Sequence, residues 1–359
     1  LELPFPVEGK KGEEICQKVI LNVDVKSPAE PENEAFFFTW NKNQEIKLPQ
    51  IGFGVSSRIK KISKKEISLL KKIKPHHLRA DIHLEKRGWQ NEIKKAITEA
   101  SHLNAPLFLC LYFPGNYQSV LEDFLKYFEN KQNWLTAILP VGLNHLPHPT
   151  FDKIAKEIRS RLHQVKVGTG VNAYFAELNR NRPEASNADF ICFSACPQVH
   201  AFDEKSIVEN LEGLAEVVKS TKQLFPNKPV WISPVTLKQR FNLVATEEEN
   251  YSGLEELAPQ VDPRQPTSFA ANWTLGAIKQ LAQSGADVVD FYETVGLRGI
   301  VNANQTKTAL PEFRRNIFPL LKLFRVLSDV DTSYPSVSSH PQIIDGLVFP
   351  NGDSTKLVI

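Results

Sequence analysis

Eight short apolar runs, most of them followed by a helical stretch, narrow the possible folds of this chain more than any other feature. They read "IGFGV" (51–55), "HLRADIHL" (77–84), "PLFLCLYF" (106–113), "WLTAILPV" (134–141), "VKVGTGV" (165–171), "DFICFSA" (189–195), "PVWISPVTL" (229–237) and "DVVDFYE" (287–293). Their hydrophobicity is nearly continuous, as expected of parallel strands covered on both faces. Between them lie amphipathic stretches at helical spacing, among them 91–103, 151–163, 206–225, 267–285 and 318–330. Eight such units close naturally into a (β/α)8 TIM barrel, and 359 residues suit one with additions. A doubly wound open sheet would call for a Gly-x-Gly-x-x-Gly turn after its first strand. None is present, and Gly168-Thr169-Gly170 lies within a strand. The expectation is an α/β protein whose barrel spans residues 49–332.

The two ends read differently. Residues 1–48 hold two half-exposed strand patterns, "EEICQKVILNVDV" and "EAFFFTW", split by the polar loop "KSPAEPENE". Residues 333–359 hold two further strands around a Pro-Asn-Gly-Asp turn. The two ends are expected to pair as a small β unit beside the barrel, with edges that look unfinished.

Charge narrows the choice of partners. Forty-three basic residues against 41 acidic ones leave a net charge of +2, which gives no argument for nucleic acid or an anionic membrane. The one basic run, "RIKKISKKEISLLKKIK" (58–74), reads as an amphipathic helix with a lysine-rich solvated face. Cys16, Cys110, Cys192 and Cys196 are scattered without a Cys-x-x-Cys pair, which argues against a disulfide framework. No apolar stretch approaches the ~18 residues of a membrane span. A cytoplasmic protein is the expectation, although Leu1 is not a native start and a removed signal peptide stays open.

In this architecture the active site collects at the C-terminal ends of the strands. The second strand carries Arg79, Asp81 and His83 at every other position, so all three face one way, and the expectation is inward. The fifth runs into Glu177, Asn179 and Arg180, and the sixth into Gln198, His200 and Asp203. The seventh leads to Arg240 and Asn242, and the eighth to Tyr292, Glu293 and Arg298. The stretch 242–266 is a candidate lid. Glu177 and Glu293 come from strands three apart, and paired carboxylates across a barrel mouth suit general acid–base or nucleophilic chemistry. Each could instead make a structural ion pair, with Arg180 or Arg298. Arg79 and Asp81 could contact substrate or only orient Glu293. His145 and His148 have His-x-x-His spacing, but in a proline-containing loop, so no metal is assigned. Ser233 lacks a Gly-x-Ser-x-Gly elbow. No cofactor is expected.

The blocks "HLRADIHL", "VNAYFAELNRNRP", "NADFICFSACPQVHAFDE", "VWISPVTLKQRFN" and "VDPRQPTSFAANWTLGAIKQLAQSGADVVDFYETVGLRG" together resemble the D-apionate lactonase family. The opening "LELPFPVEGKKGEEICQKVIL" resembles the stretch that joins that family's N-terminal β region to its barrel. The resemblance runs over nearly the whole chain. It implies hydrolysis of a sugar-derived lactone to its aldonate in carbohydrate catabolism, and a distant kinship with barrel glycoside hydrolases. Under that reading Glu293 or Glu177 takes a proton from water, and Arg79, His200 or Tyr292 donates to the oxyanion. Asn179, Arg240 and Asn242 hold sugar hydroxyls, with Asp81 among the substrate-binding set. A retaining glycosidase using Glu177 and Glu293 is the alternative, and a sugar-binding protein without turnover is a third.

Overall fold

The computed structural model describes residues 36–241, 257–302 and 317–359, with Lys11, Gly12, Glu14, Cys16, Lys18, Ile20 and Phe313. Leu1–Phe36 and Phe37–Ile359 are separate units, and the second contains the barrel.

Eight parallel strands make the wall: β1 (Gln50–Gly54), β2 (Leu78–His83), β3 (Leu107–Phe113), β4 (Leu135–Gly142), β5 (Lys166–Val167 and Thr169–Tyr174), β6 (Ile191–Ala195), β7 (Val230–Val235) and β8 (Val288–Val295). Pairing runs from β4 through β3, β2, β1, β8, β7 and β6 to β5. The ring closes at Gly168, which interrupts β5. Lys166–Val167 pairs with β4, and Thr169–Tyr174 pairs with β6. Only glycine fits there, because a Cβ would lie 2.3 Å from the Phe190 ring. This is the TIM barrel expected from the strand pattern, with strand limits within a few residues of those read from the sequence.

The side chains of β3 show how the wall is built. Leu107, Leu109, Leu111 and Phe113 join the outer core against the helices. Phe108, Cys110 and Tyr112 point inward, where they meet Phe190, Cys192, Trp231 and Val288 in a separate inner cluster. The period-2 alternation of a strand therefore sorts one apolar run into two cores. Phe190 stacks on Trp231 with centroids 3.8 Å apart, filling the barrel interior.

The described helices are α1 (Lys64–Leu70), α2 (Trp89–Leu103), α3 (Gln118–Phe128), α4 (Phe151–Arg161), α5 (Phe175–Arg180), α6 (Glu204–Leu224), α7 (Ser268–Ser284) and α8 (Pro319–Leu327). The lysine-rich run forms less helix than its periodicity suggests. Ser63 and Glu66 close a capping box that starts α1 at Lys64, and a single 3-10 turn, Lys71–Ile73, ends the segment. Asp203 caps α6 by accepting from the Ser206 N–H at 2.9 Å, which gives this expected rim residue a structural partner.

Near the ends, Phe38–Trp40 runs antiparallel to Ser336–Ser338, and Ile46–Lys47 to Thr332–Ser333. Leu347–Asn351 and Ser354–Val358 form a hairpin. These pieces are fastened to α7: Lys279 pairs with Asp345, and Gln283 accepts from the Ser336 N–H at 3.0 Å. The proposed strand at residues 13–25 lies largely outside the described residues. No helix among the described residues is long and apolar enough to cross a membrane.

Candidate active site

A bulge near the end of β8 decides which side chain enters the mouth. Phe291 pairs with Phe53 and Glu293 with Gly54, so two residues on β8 oppose one step on β1. The extra residue is Tyr292, with φ at +48°. Phe291 and Tyr292 both join the outer core, and the Tyr292 hydroxyl lies 2.8 Å from Thr274 of α7. Glu293 is then carried inward. Its Oε2 accepts from the Ser57 N–H at 3.0 Å, and its Oε1 from the Ser57 hydroxyl at 2.9 Å. Arg298 Nη2 lies 2.6 Å from the same Oε1. A carboxylate has about four acceptor sites, and three are taken, so one on Oε2 is left to receive a proton or a water.

Arg79 stands in the barrel axis, buried. Its Nε donates to Asp81 at 2.9 Å, and its Nη1 to the Ser233 carbonyl and, at 2.7 Å, to the Ser233 hydroxyl. Its Nη2 donates to Asn172 Oδ1 at 2.6 Å. Four of its five N–H donors are thus engaged by protein, so Arg79 is a framework group more than a free donor. Arg240 reaches Asp81 Oδ2 at 2.8 Å, Ser194 at 3.1 Å and Asn172 Oδ1. Burial alone would raise the Asp81 pKa, but Arg79 and Arg240 hold its carboxyl well below the usual range.

Beneath Arg79 lies a fully buried contact between an imidazole and a carboxylate. His77 Nε2 is 2.6 Å from Asp290 Oδ1, and the Ser233 hydroxyl donates to Asp290 Oδ2. Despite its burial, the Asp290 pKa is lowered, by His77 and by the Ser233 hydroxyl. The pair needs Gly52, whose absent Cβ would sit 2.2 Å from Asp290 Oδ1. Polar residues therefore run up the axis from His77 through Asp290, Ser233 and Arg79 to Asp81. The near-continuous hydrophobicity of the strands hides most of this column.

Glu99 of α2 supports the other side of the mouth. It accepts from the Ser56 N–H at 3.3 Å and from the Thr294 hydroxyl. Burial pushes its pKa up to about 7, against the pull of these hydrogen bonds and of Lys95. Ser56 and Ser57, adjacent in sequence, thus present their N–H groups to two different carboxylates, Glu99 and Glu293.

These groups surround a cavity of about 480 Å3 whose lining includes Ser57, Asp81, His145, Arg240 and Glu293. The candidate residues from the sequence divide around it. Arg79, Asp81, Arg240, Tyr292 and Glu293 line it. The Tyr292 hydroxyl cannot serve as an oxyanion donor while it is held by Thr274 in the helix layer. Glu177, Asn179 and His200 are absent from the lining. Glu177 sits in the first turn of α5, where it accepts from the Tyr174 N–H at 3.2 Å and meets Arg180 at 3.5 Å. Asn179 is exposed and accepts from Arg182 at 2.7 Å, and His200 is exposed. The helix that begins at Phe175 turns Glu177 into a capping residue, an outcome that strand-end counting does not foresee. Asn242 and most of the expected lid 242–266, namely residues 242–256, lie outside the described residues; Asp262 and Gln265, in the rest of that stretch, line the cavity.

His145 and His148 go separate ways. His145 meets the Tyr112 hydroxyl at 2.8 Å, whereas His148 meets the Pro114 carbonyl at 3.3 Å and Thr150 at 3.0 Å. Among the described residues no group of three or more His, Cys, Asp or Glu is arranged to hold a metal ion. Sequence reasoning missed Ser57, Glu99, Asn172, His77 and Asp290 in these roles. The signal was available for Asp290 and Asn172, polar residues that interrupt buried strand runs.

The barrel is shared with solved glycoside hydrolases. A family 51 α-L-arabinofuranosidase from Bifidobacterium longum superposes with a TM-score of 0.57 and 10% identity, covering 85% of this chain and 80% of that one. A family 39 glycoside hydrolase from Bacteroides cellulosilyticus WH2 gives 0.53 and 8%, covering 86% and 69%. The protein is thus a TIM barrel of glycoside-hydrolase-like fold. Residues 51–332 match the family described as "D-apionate lactonase, TIM barrel domain", and the chain belongs to that family. A D-apionate lactonase from Brucella anthropi is 24% identical across 95% of this chain. The chain spans 58% of that relative's length.

Proposed function

We propose that this barrel is a hydrolase that opens a sugar-derived lactone, D-apionolactone-like in size, to its aldonate. The observation that carries the reading is Glu293, a carboxylate oriented by Ser57 and Arg298 with one acceptor site turned to a cavity of about 480 Å3. That volume suits a small polar ring. Family membership and the name of the Brucella anthropi relative support the lactone as substrate class.

In this reading a water held by Glu293 attacks the lactone carbonyl carbon while Glu293 takes its proton. The carbonyl oxygen becomes an oxyanion that needs a donor. Collapse of the tetrahedral intermediate breaks the ring C–O bond, and the proton on Glu293 passes to the departing ring oxygen. The products are the aldonic acid and its freed hydroxyl, with one water consumed. Arg240 and Asp81, fixed to one another, offer polar edges to the sugar hydroxyls. The glycosidase alternative, as read from the sequence, pairs Glu293 with Glu177 across the mouth. Asp81 is held by two guanidiniums, and Glu177 caps α5 away from the cavity lining. Initial rates on a sugar lactone beside an aryl glycoside test the choice. Turnover of the lactone alone is expected, and turnover of the glycoside alone would replace the proposal.

A further inference from the structure

We infer that His145 is the oxyanion donor of this site: a neutral imidazole held as the Nε2–H tautomer by Tyr112, with that N–H offered to the lactone carbonyl oxygen. The inference rests on the lactonase reading and fills the position that Tyr292 and Arg79, both engaged by protein, leave open.

The tautomer follows from a chain of hydrogen bonds in which the Tyr112 hydroxyl gives its proton to the acceptor nearest it. A guanidinium carries only donors, so the atom of Asn172 that meets both Arg79 at 2.6 Å and Arg240 must be its carbonyl oxygen. The other end of Asn172 is then the NH2 group. It donates to Asp81 Oδ2 at 2.9 Å and to the Tyr112 oxygen. Having accepted that bond, the Tyr112 hydroxyl still has one proton to give. The acceptor beside it is His145 Nδ1, at 2.8 Å. A neutral imidazole that accepts at Nδ1 carries its hydrogen on Nε2. The two arginines thereby set a tautomer two residues away.

The surroundings fix the ring. His145 stacks on Phe241 with centroids 4.1 Å apart and stands edge-on to Tyr112. It lines the same cavity as Glu293. The charged and titratable groups facing it are Arg240 from the segment after β7, Asp81 and His83 from β2, and Tyr112 from β3. Burial, then Arg240 and His83, push its pKa down to about 4, with only Asp81 pulling the other way. Burial and Asp81 raise the Tyr112 pKa, so the phenol keeps the proton that it donates. A neutral imidazole whose ring is fixed by its neighbours and whose Nε2 carries the hydrogen is a preorganised donor for a developing oxyanion.

The test joins a tautomer measurement to kinetics. Long-range 1H–15N spectra of histidine-labelled protein, assigned with His145→Gln, should show His145 neutral and protonated at Nε2 at neutral pH. Tyr112→Phe removes the hydroxyl that enforces this. It should shift the signal toward the mixed-tautomer pattern and lower kcat with little change in KM. His145→Ala should lose roughly 10²–10³ in kcat, the usual worth of one oxyanion donor. His145→Gln, which keeps an N–H2, should recover part of that loss. A protonated Nδ1, or an imidazolium at neutral pH, overturns the inference while wild-type turnover stands. So does a His145→Ala variant with near-wild-type kcat. Failure of the lactonase reading looks different: wild-type protein would turn over no lactone even though the Nε2–H tautomer is observed, and His145 would lose its substrate role with it.

Discussion

Tyr292 and Glu293 are neighbours on β8 with opposite fates: the phenol hydrogen-bonds Thr274 in the helix layer, and the carboxylate meets Ser57 at the mouth. Alternation continued from outward-facing Phe291 would send Tyr292 inward and Glu293 outward, but the bulge at Tyr292 resets the phase so that Glu293 arrives inside. A carboxylate at the end of a buried strand is tolerated because two serine donors and Arg298 replace its hydration.

Glu177→Gln should leave lactone kcat/KM within roughly threefold of wild type, because Glu177 contributes a helix cap and a largely exposed contact with Arg180. Steady-state kinetics of the variant beside wild type provide the check. A loss of about 100-fold or more would restore a paired-carboxylate mechanism.

The buried His77–Asp290 pair should dominate stability at the lower end of the barrel. Asp290→Ala leaves His77 and Ser233 without their partner and should cost about 3–5 kcal/mol. Gly52→Ala should cost about 1–3 kcal/mol, because its methyl group must displace the same carboxylate. Denaturant unfolding curves measure both. A Gly52→Ala protein as stable as wild type would contradict the close approach of β1 to this pair.

Glu99 should make stability fall as pH rises. Its folded pKa, about 7, lies above the ordinary 4.5, so between these values the folded state holds a proton that the unfolded state has lost. The stabilising contribution is complete below about pH 4.5 and is lost as pH rises through about 7. The total is on the order of 3 kcal/mol. Glu99→Gln removes the titration, so the stability difference between variant and wild type should drift across this window and level off above it. Denaturant midpoints at several pH values give the readout, and a difference flat across the window would contradict it.

The barrel was legible in the sequence because parallel strands buried on both faces leave long apolar runs, and eight of them alternate with helical patterns. Arg79, Asp81 and His83 also fall where a period of two puts them, on one inward face. The mouth was less legible because position along a strand does not say where the chain leaves it. Glu177 lies just beyond β5, yet the immediate start of α5 turns it into a cap. Tyr292 sits on β8, yet a one-residue bulge turns it outward. The column from His77 to Asp290 and Ser233 depends on contacts across the barrel axis, between residues as much as 213 apart (290 − 77), and no local pattern encodes these. Asp290 and Asn172, each breaking an apolar run, were the readable traces of it.

The central claim is that Glu293 is the general base of a lactone hydrolase, and the most direct test is the turnover of Glu293→Gln on a sugar lactone, with thermal melts of variant and wild type in parallel. Glutamine keeps the shape and can still meet Ser57, but it cannot take a proton from water. The account predicts a fall in kcat of roughly two to four orders of magnitude with a melting temperature close to wild type. Near-normal turnover by a folded Glu293→Gln protein would contradict it and reduce the carboxylate to the structural partner of Ser57 and Arg298.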